Sequence, residues 1–119
     1  MPECRIAAFE DETMTGWAAL TPVSGRCVYA GVAEVSIYVD SNFRGKGIGK
    51  LLLQQLITES EQIGLWSLQA GIFSENSGSV QLHENCGFRK IGFREKIGQL
   101  NGVWKDNIIM ERRSKIVGI

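Results

Sequence analysis

A glycine-rich loop between an apolar strand and an amphipathic helix most constrains the fold of this chain. The loop has the form R-x-x-G-x-G and reads Arg44-Gly45-Lys46-Gly47-Ile48-Gly49. A helix begins with backbone N–H groups that lack intrahelical partners and with the positive end of its dipole. Glycines remove the Cβ atoms that would keep an anion away from those N–H groups. The loop therefore predicts a phosphate or pyrophosphate site, in which Arg44 and Lys46 either add charge or are ordinary solvated surface.

Hydrophobic periodicity predicts a strand before the loop and a helix after it. In the run 33–39, Val35, Ile37 and Val39 alternate with residues of a more polar phase, which is typical of a half-buried strand. From residue 48 to residue 63 the apolar residues recur at helical spacing, and Gly64 suits the end of that helix.

The remaining sequence predicts short elements separated by turns. A loop is expected at 21–31 and a short helix at about 79–85. Further strands are predicted at 5–9, 13–20, 65–73, 88–96 and 103–112. The last two are expected to be joined by a turn around Gly98 and the Asn-Gly pair at 101–102. The order ββ-β-α-β-α-ββ predicts an α+β (mixed α/β) class, with 1–119 as a single domain.

Composition disfavours several classes of function. The formal net charge is +0, which argues against general nucleic-acid binding and against a membrane-surface role. The sequence shows no apolar run long enough to span a bilayer and no signal-peptide pattern. Cys4, Cys27 and Cys86 lack metal-ligand spacing, so we expect reduced thiols in the cytoplasm.

The order of motifs resembles the GNAT superfamily of N-acetyltransferases from about residue 6 to residue 112. The shared order is strand, R-x-x-G-x-G, helix, strand, N-x-x-S helix, G-F and strand. Within the superfamily, the R-x-x-Y motif at 26–29 and the L-H-E triplet at 82–84 resemble the phosphinothricin branch. The segment 22–35 is similar to its arsinothricin-resistance subgroup. The resemblance implies a central, mostly antiparallel sheet with helices on its faces, acetyl-CoA as cosubstrate, and no metal.

The resemblance also implies how acetyl-CoA is bound. Backbone N–H groups of residues 45–49 would hold the pyrophosphate. The preceding strand would splay from its neighbour so that the backbone of Ile37, Tyr38 and Val39 pairs with the pantetheine arm, with a backbone N–H near Val39 facing the oxyanion. Asn76 would contact the same arm, act as a helix N-cap, or do both.

Glu34 and His83 are the catalytic candidates that the resemblance implies. Glu34 would accept the proton that the substrate ammonium loses, whereas its alternative is a surface glutamate on a half-exposed strand. His83 would protonate the departing thiolate, at a position where many relatives carry a tyrosine. Its alternative is a packing or surface role, and Tyr38 is a second candidate for the same step.

Arg26 and Tyr29 are the substrate contacts that the resemblance implies. A guanidinium and a phenol suit the second acid group of phosphinothricin or arsinothricin. The alternative is a surface loop with a packed tyrosine. Part of the branch carries a lysine where this chain has Ser24, which leaves the identity of the substrate open.

Trp17 and Trp66 are predicted to lie in the core.

Family members usually begin with a further strand and two helices before the strand that starts at Arg5, roughly fifty residues in all. A late start, a natural truncation and a partner that fills the gap all remain open. The resemblance implies a homodimeric N-acetyltransferase that acetylates the α-amino group of a small amino-acid-like toxin such as phosphinothricin or arsinothricin. We expect it to be cytoplasmic, without nucleic-acid or membrane partners. The alternatives are an N-acetyltransferase for methionine sulfone, methionine sulfoximine or another L-amino acid, and a non-catalytic CoA-binding remnant.

Overall fold

A computed structural model describes residues 5–119. Its main elements are, in chain order, β1 (Arg5–Glu10), β2 (Thr13–Pro22), β3 (Val32–Val39), α1 (Ile48–Gln62), β4 (Ser67–Phe73), α2 (Ser77–Asn85), β5 (Arg89–Leu100) and β6 (Val103–Arg113). The predicted order of elements and the mixed α/β class are confirmed. The predicted loop 21–31 also contains a short 3₁₀ turn, Cys27–Tyr29. No helix in this described part of the chain is long and apolar enough to cross a membrane.

The strands form one sheet in the order β1-β2-β3-β4-β6-β5. Every neighbouring pair is antiparallel except β3 and β4, which run parallel. Those two strands pair only at Val32↔Ser67, Ala33↔Leu68 and Glu34↔Gln69. Beyond these pairs the strands are no longer hydrogen-bonded to each other. We call the resulting opening, between residues 35–39 of β3 and 70–73 of β4, the wedge.

The hydrophobic core lies between α1 and one face of the sheet. On the helix, Leu52 and Leu56 are buried, as the helical spacing predicts, and Leu53 is buried with them, whereas Leu51 of the same apolar pattern is 67% exposed. The three buried leucines pack in one cluster with Ala18 of β2 and Val35 of β3. Each fully buried leucine stabilises the fold by roughly 1.5–3 kcal/mol relative to an exposed one. This cluster fixes the position of α1 relative to β3 and therefore places the glycine-rich loop between them.

The opposite face of the sheet carries exposed side chains, and we call it the open face. Residues directly opposite each other in a ladder share a face. The pairs Trp17↔Tyr38, Thr21↔Glu34 and Phe73↔Asn107 therefore all lie on the open face.

The prediction that Trp17 belongs to the core is wrong, because its side chain is 40% exposed. Trp17 lies on the strand phase opposite that of the buried Ala18 and Leu20, and its ring stacks with Tyr38 at a centroid distance of 6.3 Å. Trp66 is half-buried, so the expected core position is only partly met.

The β5–β6 hairpin turns at Asn101 and Gly102, as the Asn-Gly pair predicts, with φ of 51° and 77°. The predicted turn at Gly98 is wrong, since β5 continues to Leu100. An irregularity lies instead between Arg94 and Gly98, where Lys96 has φ of 48°. The Lys96 N–H donates to Asp106 Oδ1 at 2.8 Å. This contact from the partner strand stabilises the irregularity.

Candidate functional site

The glycine-rich loop needs its glycines for different reasons. Gly45 and Gly47 have φ of 82° and 78°, where a side chain is strained. Apart from its two chain neighbours, no residue that the structure describes lies within 4 Å of the position that a Cβ would take at either glycine. Gly47 is also the N-cap of α1, so open space adjoins the unpaired N–H groups at the helix start. Gly49 differs, because a Cβ there would lie 3.1 Å from Leu82 Cδ2. Gly49 therefore permits the close approach of α2.

A first cavity of about 450 Å³ lies at the N-terminus of α1. It is lined by nearly all of the predicted cofactor-binding residues, namely Ile37, Tyr38, Val39, Arg44, Gly45, Gly47, Ile48, Gly49 and Asn76. Lys46 is the exception. Its Nζ lies 3.7 Å from Glu10 Oε2 and 5.1 Å from the centroid of the Phe43 ring. The Lys46 side chain is therefore placed outside this cavity, although its backbone remains part of the loop.

A second cavity of about 320 Å³ occupies the wedge. Glu34 and His83 both line it, together with Trp17 and Phe73, which sequence reasoning did not assign to a site. It shares Ile37, Asn76 and Ser79 with the first cavity. A ligand held at the glycine-rich loop could therefore extend through the wedge to Glu34 and His83. The strand alternation around Ala18 and Leu20 was the signal that could have placed Trp17 here.

His83 is almost completely buried, and its surroundings define its protonation state. Its Nδ1 lies 2.7 Å from the carbonyl oxygen of Ser79, which can only accept a hydrogen bond, so Nδ1 carries the proton. Burial lowers the pKa of His83, and the hydrogen bond to Ser79 partly opposes that effect. The imidazole is therefore neutral near pH 7, with Nε2 as an acceptor. That Nε2 is buried and has no hydrogen-bond partner within residues 5–119.

Glu34 lies at the closed end of the wedge, where its backbone pairs with Gln69. Its side chain is exposed on the open face. No described residue forms an ion pair or a side-chain hydrogen bond with its carboxylate. The carboxylate is therefore free to accept a proton from a molecule that approaches from the open face.

Asn76 caps α2, because its Oδ1 accepts a hydrogen bond from Ser79 N at 3.1 Å. Its Nδ2 donates to no other residue that the structure describes. Since Asn76 also lines both cavities, capping leaves its amide donor available to a ligand. The two roles considered for Asn76 are thus compatible.

Arg26 and Tyr29 line neither cavity and are both exposed. Tyr29 lies in the 3₁₀ turn that Arg26 precedes, and the backbone N–H of Arg26 donates to Ser24 Oγ. The turn follows the end of β2, where Thr21 is opposite Glu34. The structure therefore brings Glu34 and His83 into the second cavity. Arg26 and Tyr29 lie on the surface outside that cavity, beyond the end at which Glu34 lies.

The two described cysteines are free thiols outside both cavities. Cys27 is exposed, whereas Cys86 is half-buried, and burial raises the pKa of the Cys86 thiol. A raised pKa makes a thiol less nucleophilic near neutral pH. Cys4 lies outside the described residues.

Comparison with known proteins identifies the family. Residues 1–88 match the acetyltransferase (GNAT) family. The chain belongs to the GNAT acetyltransferases. Its sheet and helix arrangement is that of the GNAT fold, which confirms the fold that the resemblance implied. A solved GNAT phosphinothricin acetyltransferase from Sinorhizobium meliloti, in complex with acetyl-CoA, superimposes with a TM-score of 0.85 and 29% identity, over 96% of this chain and 67% of that one.

Two curated GNAT relatives have more specific names. The L-amino acid N-acyltransferase MnaT of Escherichia coli (strain K12) is 33% identical over 90% of this chain and 70% of its own length. The phosphinothricin N-acetyltransferase of Alcaligenes faecalis is 34% identical over 90% of this chain and 55% of its own length. The chain thus spans between about half and 70% of the length of the curated relatives it matches.

Proposed function

We propose that this chain transfers an acetyl group from acetyl-CoA to the α-amino group of an amino-acid-like toxin such as phosphinothricin or arsinothricin. The observation that carries the proposal is the wedge. It joins a cavity at the start of α1 to a cavity that contains a free carboxylate and a buried neutral imidazole. In this account residues 1–119 act as one acetyltransferase domain.

The first cavity fits the pyrophosphate and pantetheine of acetyl-CoA. Open space at Gly45 and Gly47 lets an anion reach the N–H groups at the start of α1, and Arg44 lines the same cavity. The stretch of β3 from Ile37 to Val39 pairs with β2 but not with β4, so its β4 side offers backbone groups to the pantetheine arm. Asn76 Nδ2 offers a further donor. Bound acetyl-CoA supplies an activated acetyl thioester at the wedge.

Glu34 and His83 divide the proton transfers. Glu34 takes the proton that the substrate ammonium must lose before the amine can attack. Because Nε2 of neutral His83 has no proton, His83 cannot begin as the acid that the resemblance implies. Instead, it receives a proton first, through water or from Glu34, and then donates it to the departing thiolate. Tyr38 is a weaker candidate for that donation, since its side chain is exposed on the open face.

Arg26 and Tyr29 are proposed to contact the acid group of the acceptor at the Glu34 end of the wedge. The pairing of Thr21 with Glu34 supports this placement, because it brings the end of β2 next to the candidate base. N-acetylation would inactivate such a toxin, so the proposed biological role is antibiotic resistance.

A second acceptor class has its own support. Relatives from Pseudomonas aeruginosa and Salmonella typhimurium are named L-methionine sulfoximine/L-methionine sulfone acetyltransferases, at 40% and 32% identity. The same residues would perform the same chemistry on these acceptors. The two acceptor classes would differ only in the side-chain group that contacts Arg26 and Tyr29.

An acceptor panel separates the two classes. Thiol release from acetyl-CoA is measured with phosphinothricin, arsinothricin, L-methionine sulfone and L-methionine sulfoximine. The proposal expects the highest kcat/KM for phosphinothricin or arsinothricin, and a larger loss of kcat/KM in Arg26→Ala for these two than for the sulfone. A higher kcat/KM for the methionine derivatives would move the assignment to the second class.

We further propose a cytoplasmic homodimer that binds neither nucleic acid nor membranes. The β5 strand supports a dimer, because Ile91, Phe93 and Ile97 are all exposed and 47–59% accessible. An exposed apolar edge strand is a surface that proteins usually cover. The free thiols Cys27 and Cys86 suit a reducing compartment.

A further inference from the structure

Asn107 of β6 places a carboxamide at the rim of the wedge. It lies opposite Phe73, whose side chain lines the second cavity. The Asn107 side chain extends over Gly71, since a Cβ on Gly71 would lie 2.9 Å from Asn107 Nδ2. Gly71 lines the same cavity. The absence of a side chain at Gly71 therefore leaves the space that the Asn107 amide occupies.

Within residues 5–119 the Asn107 amide has no hydrogen-bond partner, unlike other polar groups of the same strand. Asp106 accepts the Lys96 N–H, and Glu111 accepts hydrogen bonds from Ser67 and Arg89. Asn107 is half-buried, yet its side chain forms no hydrogen bond to any residue of the described range 5–119. A partly buried amide without a protein partner is a group that a ligand can satisfy.

The position of Asn107 also indicates which ligand its side-chain amide could contact. The first cavity is bounded by the N-termini of α1 and α2, and α1 covers the core face of the sheet. An acceptor therefore reaches the wedge from the open face, where Glu34 and Asn107 lie on opposite sides of the opening. An amino-acid-like acceptor with its amine at Glu34 presents acid oxygens elsewhere on the same molecule.

We infer that the Asn107 carboxamide donates a hydrogen bond to an acid oxygen of the acceptor and thereby determines which acceptors bind. The inference rests on the proposed acetyltransferase function. Two groups of the acceptor have oxygens that accept such a hydrogen bond. One is the α-carboxylate, and the other is the acidic or sulfone group of the side chain. Asn107 is then a specificity-determining residue without a part in proton transfer.

The test compares Asn107→Leu, which keeps the approximate shape but removes the donor, with wild type. L-Methionine sulfone, its decarboxylated analogue 3-(methylsulfonyl)propan-1-amine and L-methionine serve as acceptors. The KM for L-methionine sulfone is expected to rise by about tenfold or more in Asn107→Leu, the value of one hydrogen bond to a charged or strongly polar oxygen. The KM for acetyl-CoA should not change. The KM of the analogue that lacks the bonded oxygen should differ least between wild type and Asn107→Leu. This comparison shows which of the two acceptor groups Asn107 contacts.

Two further variants sharpen the comparison. Asn107→Asp places a like charge near an acid oxygen, so it should raise the acceptor KM further than Asn107→Leu does. Gln99→Leu removes an exposed carboxamide from the neighbouring strand β5, opposite Trp104, and should leave the acceptor KM unchanged.

A binding measurement separates this inference from the proposed function. Calorimetry of L-methionine sulfone with the CoA-loaded protein gives an acceptor Kd that needs no turnover. A Kd that rises in Asn107→Leu supports the inference even if wild type shows no thiol release. Equal acceptor affinity in wild type and Asn107→Leu would overturn it, and active wild-type enzyme in the same experiment would leave the proposed function intact.

Discussion

Glu34 and His83 line the same cavity but have opposite surroundings. Glu34 is exposed and its carboxylate has no ion-pair or hydrogen-bond partner among residues 5–119, which suits a carboxylate that takes a proton from an incoming amine. His83 is buried. Its ring is held by the hydrogen bond to Ser79 and by an edge-to-face contact with Phe88, in which the ring centroids are 5.0 Å apart. Burial favours its neutral form. At the scale of single residues, the candidate site therefore contains two groups that can each accept a proton.

The first residue-scale prediction concerns Glu34→Gln. Glutamine has nearly the same shape as glutamate but cannot accept the ammonium proton, so kcat should fall by roughly 10²- to 10⁴-fold. Because Glu34 does not line the first cavity, the acetyl-CoA Kd should remain that of wild type. Stopped thiol-release assays and calorimetry measure the two quantities. An unchanged kcat would exclude Glu34 as the base.

The second residue-scale prediction concerns the pH dependence of stability through His83. The folded pKa of His83 is lowered, so below its ordinary value of about 6.5 the unfolded chain binds a proton before the folded chain does. The stabilisation that neutral His83 provides is therefore complete above pH 6.5 and is lost as the pH falls towards the folded pKa.

His83→Asn tests this linkage, because asparagine retains a donor for Ser79 but does not titrate. Urea unfolding at several pH values should show that wild type is more stable than His83→Asn at pH 7.5. The difference in unfolding free energy should narrow below pH 6.5. A difference that stays constant from pH 7.5 to pH 5 would contradict the assignment of a lowered pKa.

At the scale of elements, the closed end of the wedge depends on a contact between Gly31 and Trp66. The Gly31 carbonyl accepts hydrogen bonds from Trp66 N at 2.8 Å and from Ser67 N at 3.0 Å. A Cβ on Gly31 would lie 2.0 Å from the Trp66 ring. The parallel pairing of β3 and β4 begins immediately after this contact, at Val32↔Ser67.

The element-scale prediction is that Gly31→Ala destabilises the fold by about 1–3 kcal/mol, because the methyl group overlaps the Trp66 ring. Thermal unfolding should show a Tm lowered by at least about 3 °C. Gly25→Ala is the matched control, since a Cβ there would have no described residue within 4 Å other than its chain neighbours. Equal Tm values for the two variants would show that Trp66 does not constrain Gly31.

The elements themselves were predictable because their signals are local. Helical spacing predicted α1, and the Asn-Gly pair predicted the last turn. The irregularity at Lys96 was not predictable, because its stabilising contact comes from Asp106 on another strand. The position of the Lys46 side chain outside the first cavity was not predictable either, because the side chain pairs with Glu10, far away in the sequence. The candidates Glu34, His83 and the loop came from family resemblance, and their roles stay predictions. The position of Trp17 could be predicted from the strand alternation around Ala18 and Leu20, whereas the position of Asn107 at the rim of the wedge depends on the pairing of β6 with β4.

At the scale of the whole molecule, the hairpin of β5 and β6 presents apolar side chains without a described partner. Phe93 is 59% and Trp104 57% exposed. Among the described residues, β5 is paired with β6 alone and forms an edge of the sheet. These features favour association of this surface with a second copy.

The corresponding prediction is that light scattering coupled to size exclusion gives twice the mass of one chain. Phe93→Glu places a charge on the exposed edge and should shift the mass towards that of a monomer. Leu51→Glu is a control of similar exposure on α1 and should leave the mass unchanged. A monomeric wild type, or a dimer unaffected by Phe93→Glu, would exclude β5 as the interface.

The most direct test of the central claim is the stoichiometry of acetyl transfer by the 119-residue chain. Wild type and Glu34→Gln are incubated with acetyl-CoA and phosphinothricin, and free thiol and N-acetylated acceptor are quantified together by mass spectrometry. The account predicts one acetylated acceptor for each thiol released by wild type, with both products nearly absent in Glu34→Gln. Thiol release without an acetylated acceptor, or equal product from both proteins, would contradict it.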